Sequence, residues 1–398
     1  MKNIPFSPPD ITQDEINEVI DTLKSGWITT GPKTKKLEKL IAEYCAAAGA
    51  ACMNSQTACA EMTLRLLGIG EGDEVIVPAY TYTATCSVVI HTGAVPVIID
   101  CAPGSYEMDY DKLEEAINSR TKCIIPVDLA GKLCDYDRIF KAAERKKHLF
   151  RPNSRLQEAI GRVAVLSDSA HSFGAVLNGR RSGQIADFSA FSFHAVKNLT
   201  TAEGGCAVWK SIDGIDDDEI YRQFMLLSLH GQTKDALAKS VSSGWEYDIV
   251  APYYKCNMTD LAAAVGLAQF RRYDELMEKR HRIIKKYDEA FAGLGIELTE
   301  HRTADSVSSG HLYMTGLSGR DIEFRNTAIE KMSGLGISCN VHYKPLPLLS
   351  AYKDITDVSD YPNAVRMYER EITLPLHTLL TDEDTDYIIE SFIKTAGD

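Results

Sequence analysis

"VAVLSDSAHSFGA", residues 163–175, opens as an apolar run and closes on an acid, a histidine and a glycine. Such a run, apolar on successive residues, fits a strand buried on both faces, with polar residues gathered at its carboxyl end where a parallel sheet binds ligands. Working outward, the same form recurs in "EVIVP" (74–78), "VPVIID" (95–100), "KCIIPVD" (122–128) and "DFSAFSF" (187–193). Helical patterns lie between them, among them "TACAEMTLRLLG" (57–68) and "YDKLEEAINS" (110–119). Buried strands alternating with helices predict an α/β protein whose large domain is a mainly parallel sheet with helices on both faces.

After about residue 210 the alternation fades, and "MTDLAAAVGLAQFRRYDELMEKRHRIIKKYDEAFAGL" (258–294) predicts one or two long helices leading into a smaller α+β region. The expected division is an N-terminal arm and helix (1–25), a large domain (26–255) and a small C-terminal domain (256–398). Within the arm, Thr12 and Glu15 have capping-box spacing, Ile16, Val19, Ile20 and Leu23 form an apolar face, and Gly26 ends the helix. "ERKKHLFRPNSRLQEAIGR" (144–162) is polar, basic and interrupted by proline, so it predicts a surface excursion.

Composition narrows the function class. The chain has 398 residues, 44% hydrophobic and 25% charged, in the range of folded globular proteins. With 43 Lys and Arg against 56 Asp and Glu, its formal charge of −13 disfavours nucleic acid and anionic membranes as partners. The prolines of "MKNIPFSPPDITQDE" (1–15) interrupt any signal-peptide core, and no run reaches membrane-spanning length, so the expected compartment is the cytoplasm. None of the ten cysteines forms a CxxC pair and no Cys/His cluster has ligand spacing, which points to reduced core thiols and no metal site.

Chemistry is sought at the strand ends. "MNSQTACAEMTL" (53–64) puts Asn54, Ser55, Gln56 and Thr57 at a helix start, where free amides and the positive dipole end suit a phosphate. Tyr80 and Tyr82, after "EVIVP", offer an aromatic face to a heterocycle. Asp168 can hold a protonated pyridine nitrogen, and His171 can lie against such a ring or its phenolic oxygen. Lys197, just past "DFSAFSF", carries an amine that a rigid, partly desolvated position would turn into a Schiff-base nucleophile, and Ser192 adds a hydroxyl for phosphate. Singly, each has a commoner structural explanation: Ser55 as a plain N-cap, Asp168 capping a turn, the tyrosines as packing, Lys197 as a surface amine. Jointly, cradle, aromatic plate, carboxylate and lysine each follow a separate strand in an order one cofactor could bridge, and they describe a pyridoxal phosphate site. A nicotinamide reading of "GIGEGD" (68–73) fails because that loop precedes its strand and lacks the full GxGxxG.

These residues carry a resemblance to the sugar aminotransferases of the DegT family, fold type I pyridoxal phosphate enzymes, from "PFSPP" to "ITLPLH". Its landmarks are "SGWITTGPKTKKLE", "GDEVIVPAYTYTAT", "SFHAVKNLTTAEGG", "MTDLAAAVGLAQ" and "VHYKPL". Within the family, "SGWITTGPK" and "SFHAVKN" most resemble the branch that makes UDP-4-amino-4-deoxy-L-arabinose with oxoglutarate as the other product. The resemblance implies that Lys197 binds pyridoxal 5′-phosphate and shuttles a proton, Asp168 pairs with the pyridine nitrogen, and Tyr82 stacks on the ring with His171 near its oxygen. It further implies phosphate contacts from Ser55, Gln56, Thr57 and Ser192, and a homodimer in which "YYKCNMTD", with Lys255 and Asn257, completes the neighbouring subunit's site. Trp27, Thr29, Thr30, His342 and Tyr343 are implied sugar or nucleotide contacts. The implied reaction moves an amino group from glutamate, leaving 2-oxoglutarate, to a keto group on a nucleotide-linked sugar, for amino sugars of cell-surface polysaccharide or lipid. A nucleotide-sugar dehydratase of the same fold, with histidine in place of the lysine, and a non-catalytic regulator are the alternatives. The chain departs from the family at Gln56 (usually Gly or Ala), Ser167 (commonly Glu), Asp128 (frequently His), Lys255 to Asn257, and the 144–162 insertion.

Overall fold

The structure is a computed structural model and describes residues 2–234, 237 and 246–397. The first half of the chain forms β1 (Gly49–Met53), β2 (Glu74–Pro78), β3 (Val95–Ile99), β4 (Thr121–Ile124), β5 (Ala164–Asp168), the two-residue β6 (Val176–Leu177) and β7 (Arg180–Arg181), β8 (Phe188–Ser192) and β9 (Gly205–Trp209). Among the described residues seven of these make one sheet in the order β1-β9-β8-β5-β4-β2-β3. The neighbours from β8 through β5, β4 and β2 to β3 are parallel, whereas β9 runs antiparallel to both β8 and β1. The mainly parallel sheet expected from the apolar runs is therefore present with one reversed strand. β1 and β9, "GAACM" and "GCAVW", escape the sequence reading because their small residues give little apolar signal.

Successive strand residues alternate between faces. Val75 and Val77 pack with the helix Gln56–Leu66 (α3), while Ile76 between them packs with Leu113 and Ile139 on the other side. Helices thus cover both faces, as two-sided burial of the runs requires. The segment 144–162 is less of a surface excursion than expected. It forms the helix Arg155–Ile160, with Leu156 in the core and the buried Gln157 donating from Nε2 to the Leu67 carbonyl at 2.8 Å.

α1 (Gln13–Ser25) has the expected capping box, and Gly26 ends it at φ 74°. The side it buries is the polar one: Glu15 meets Arg272 at 3.0 Å and Gln269 at 2.9 Å, while Ile16, Ile20 and Leu23 stay exposed. The long apolar pattern after residue 258 resolves into two helices, Asp260–Arg271 and Tyr273–Phe291. The second of them serves two cores. Tyr273 and Met277 pack with Leu37, Ile41 and Phe191 of the large layer, whereas Ile283, Ile284, Tyr287 and Phe291 pack with Ile4, Ile372 and Phe392. The latter core lies under a second sheet, β10 (Ile296–Leu298), β12 (Tyr313–Leu317) and β13 (Glu371–Leu374), and β11 (Ser306–Val307) pairs with β6. The sequence-based boundary at 255/256 precedes the shared helix.

Candidate active site

β5 and β8 are parallel neighbours, and at their carboxyl ends stand Asp168 and Ser192. Beside them α3 begins, with Ser55 as N-cap accepting the Ala58 N–H at 3.1 Å. The first intrahelical bond is the Cys59 N–H to the Ser55 carbonyl, so the Gln56 and Thr57 amides precede it and point out of the helix end. These groups line a cavity of about 300 Å³ together with Tyr82, His171, Lys197 and Tyr343. One crevice outside the strand ends therefore collects residues from five separate stretches of sequence.

Asp168 is 5% exposed and accepts from Thr85 Oγ1 at 2.7 Å and from the Ala170 N–H at 3.2 Å. Burial raises its pKa, while Thr85, Ala170 and the charge of Lys197 pull it down. Lys197 is half-buried, and burial lowers its amine to about 8 against the pull of Asp168. The Nζ lies 3.5 Å from His311 Nε2. Asn198 fixes that imidazole: its Nδ2 donates to the Ser309 carbonyl at 2.7 Å, leaving Oδ1 to accept from His311 Nδ1–H at 3.0 Å. The His311 Nε2 facing Lys197 is therefore a lone pair. His171 Nδ1 accepts the Ala130 N–H at 3.2 Å, which puts its proton on Nε2, 3.0 Å from the Tyr343 hydroxyl. Burial and the Lys197 charge push His171 well below its ordinary pKa, so it stays neutral.

Tyr82 is 59% exposed at the cavity mouth, its ring 5.6 Å from that of Tyr343. Other sequence-predicted residues do not line this cavity. His342 turns away from it, stacks on Phe6 and bonds Thr373 Oγ1 at 2.9 Å from Nδ1. Trp27 bonds the Thr30 carbonyl at 3.1 Å, and the carbonyl of the exposed Thr29 accepts from the Asp260 N–H at 3.1 Å. Thr30 accepts from Asn257 Nδ2 at 2.5 Å, and Asn257 also accepts from Lys255. These two stretches form one connected unit outside their own chain's cavity. Tyr80 is buried and donates to the His342 carbonyl at 2.9 Å, a packing role. Sequence reasoning missed Thr85, Asn198 and His311. Thr85 had a signal, standing four residues after Thr81 on the first turn past "EVIVP"; His311 had none, because it comes from the far side of the chain.

The donor set fits pyridoxal 5′-phosphate: open amides at a helix start, a buried carboxylate, a neutral imidazole and a depressed amine in one crevice. The cradle is also tight. A Cβ on Gly205 would sit 2.4 Å from the Gln56 nitrogen and 2.7 Å from the Phe191 carbonyl oxygen, and one on Gly204 would sit 2.1 Å from Thr201 Oγ1. Of the two glycines after the lysine stretch, Gly205 is thus explained by backbone running against backbone, and Gly204 by the close side chains of Thr201 and Met258. Gly205→Ala is expected to cost about 2–3 kcal/mol, since backbone cannot yield as a side chain can, and a thermal or urea melt reads it. The amine makes a second expectation: uptake of pyridoxal phosphate by cofactor-free protein, followed by absorbance, accelerates as pH rises through about 8 and then levels, because only the neutral amine is nucleophilic.

Among the described residues no helix is long and apolar enough to cross a membrane. All ten cysteines are free, and eight are buried. A Streptococcus pneumoniae chain described as a candidate sugar aminotransferase, Spr1654, solved in a form carrying pyridoxamine phosphate, superposes at a TM-score of 0.97 with 56% identity over 99% of each chain. The same protein has also been solved with pyridoxal phosphate, at a TM-score of 0.96. Helicobacter pylori PseC, described as an aminotransferase of pseudoaminic acid biosynthesis, superposes at 0.87 with 27% identity over 100% of each chain. Among curated sequences, the Bacillus subtilis spore coat polysaccharide biosynthesis protein SpsC is 36% identical over 395 residues, 98% of this chain and 96% of its own. Residues 9–393 match a single family, whose aminotransferases use pyridoxal phosphate. The chain belongs to the DegT/DnrJ/EryC1/StrS aminotransferase family.

Proposed function

We propose that this protein is a cytoplasmic pyridoxal 5′-phosphate aminotransferase that moves an amino group from an amino acid, glutamate, to a keto group on a nucleotide-linked sugar. The products would be amino sugars for cell-surface polysaccharide or lipid, a reading supported by the description of SpsC. One observation carries the proposal: the depressed amine of Lys197 shares a single crevice with the buried carboxylate of Asp168. When bound, the cofactor supplies an electron sink that makes the substrate's C–H and C–N bonds labile.

The chain's own groups divide the remaining work. The Gln56 and Thr57 amides, with the Ser55 and Ser192 hydroxyls, would hold the phosphate at the positive end of α3. Asp168, kept in place by Thr85, would hold a proton on the pyridine nitrogen. Tyr82 and His171 would cover the ring, with His171 fixed by Ala130 and Tyr343. Lys197, neutral at a modest cost, would move the proton at its Nζ, with the His311 lone pair as acceptor. A homodimer would bring Lys255 and Asn257 of one copy to the other's phosphate, and Trp27, Thr29 and Thr30, tied to Asn257, to the sugar or nucleotide. The exposed Ile16, Ile20 and Leu23 of α1 provide apolar surface for that contact. Tyr343 remains a substrate contact in this reading; His342 would act only by supporting it.

The dehydratase reading is disfavoured by retention of Lys197, and His194, three residues earlier, is an exposed partner of Glu203 at 3.5 Å. Two measurements test the proposal. Purified protein loaded with pyridoxal phosphate should change absorbance on adding glutamate, and a spectrum that never moves would sink it. A panel of keto-sugar nucleotides with ¹⁵N-glutamate, read by mass spectrometry, should give one labelled amino sugar.

A further inference from the structure

Asp128 and Ser167 touch behind the crevice. Asp128 is 1% exposed, and among the described residues no cation lies within ion-pair distance of it. Its carboxylate is satisfied by neutral donors alone. Oδ1 accepts the Cys134 N–H at 3.1 Å and the Tyr136 hydroxyl at 2.9 Å. Oδ2 accepts from Ser172 at 2.8 Å and Ser167 at 2.9 Å, while Ser169, 3.3 Å from Oδ2, donates its one hydroxyl proton to Ser167 at 2.7 Å. Burial pushes the acid up to about 6, with the hydroxyls and the Cys134 amide opposing. Four donors on one buried carboxylate, three of them side-chain hydroxyls, ask what is being held.

The partners answer. Ser169 and Ser172 belong to the turn that carries His171, immediately after Asp168. Asp128 itself opens the turn Leu129–Gly131, whose Ala130 N–H is bonded to His171 Nδ1, and the Asp128 N–H donates to the Asp168 carbonyl at 3.1 Å. Ala130 sits at φ 58°, in the left-handed region, so its amide direction depends on outside restraint. One carboxylate thus fastens the turn bearing the imidazole to the turn that donates to it.

We propose that Asp128 is a positioning residue for His171: by clamping residues 169–172 onto residues 128–131 it keeps the Ala130 N–H on Nδ1 and so fixes the imidazole as the Nε2-protonated tautomer that meets Tyr343. This rests on reading the crevice as the cofactor site. The serine at 167 fits the same device, because its hydroxyl serves the carboxylate that stands across from it.

The test is Asp128→Asn in the full chain, with Ser172→Ala as a milder variant should the first fail to fold. In cofactor-free protein labelled with ¹⁵N-histidine, with His171 assigned by its loss in His171→Asn, long-range ¹H–¹⁵N spectra of the wild type should show a neutral Nε2–H imidazole. Asp128→Asn should mix the tautomers. In the loaded enzyme, Asp128→Asn should slow the glutamate half-reaction about tenfold when His171 is present and less than twofold in a His171→Asn background, the non-additivity expected of residues acting as one unit. An unchanged His171 spectrum, or equal slowing in both backgrounds, overturns the proposal. A wild type that shows the tautomer but no half-reaction refutes the aminotransferase reading and leaves the role of Asp128 decided by the spectra.

Discussion

Lys197→Ala should lose the glutamate half-reaction by on the order of 10⁴-fold, the upper range for a positioned acid–base group, while keeping its fold and holding the cofactor without a covalent bond. Stopped-flow absorbance reads the rate. Part of the activity should return with small primary amines, because the crevice then lacks only the amine; a protein inactive for structural reasons would not recover. Stability supplies a separate check. The folded lysine titrates near 8 and the unfolded one near 10.5, so the unfolded chain binds the extra proton between those values. Below 8 both states are charged and the folded one bears the cost of a desolvated ammonium; that cost is relieved as pH rises from about 8 to about 10.5. The alanine variant, freed of it, should melt no lower than cofactor-free wild type at pH 7. Full turnover in Lys197→Ala would overturn the assignment.

Asp168→Asn should separate stability from function. The carboxylate lies buried with Thr85 and Ala170 as donors, and burial raises its pKa, so above the unfolded value of 3.8 the ionised form weighs against the folded, cofactor-free protein. The asparagine variant should therefore melt at or above the wild type without cofactor. With cofactor the order should reverse. Losing the buried charge that would face a pyridinium would leave that cation unpaired, at a cost of about 3–5 kcal/mol, or roughly two to four powers of ten in cofactor affinity and half-reaction rate combined. Equilibrium dialysis and stopped-flow absorbance measure the two parts. Equal cofactor affinity in wild type and variant would remove Asp168 from the site.

Legibility followed the range of the physics. Strands β2, β3, β5 and β8 were readable because two-sided burial makes a run apolar throughout, and "EVIVP" coincides with β2 from Glu74 to Pro78. The Thr12–Glu15 box and Gly26 were readable because a helix end is satisfied by its own neighbours. The orientation of α1 was not. Its apolar face predicts burial of Ile16 and Ile20, yet Arg272 and Gln269, some 250 residues away in sequence, hold the opposite side through Glu15. Likewise the basic, proline-containing look of 144–162 concealed Leu156 and Gln157, whose partners at Leu67 no local pattern can announce.

The sequence by itself determined which chemistry the protein can perform. Asp168, Ser192, Lys197 and the Ser55–Thr57 start of α3 stand at strand and helix ends, positions set by local periodicity and capping, and a parallel sheet sends those ends to one side. Only the tertiary structure decided how these groups are tuned. The lone pair that meets Lys197 comes from His311, oriented by Asn198, and the proton position on His171 comes from Ala130 and Tyr343, with Asp128 beneath. Tautomers and depressed pKa values arise from distances and burial between residues from about forty to more than a hundred positions apart. A sequence fixes which groups exist; their proton affinities belong to the packed interior that surrounds them.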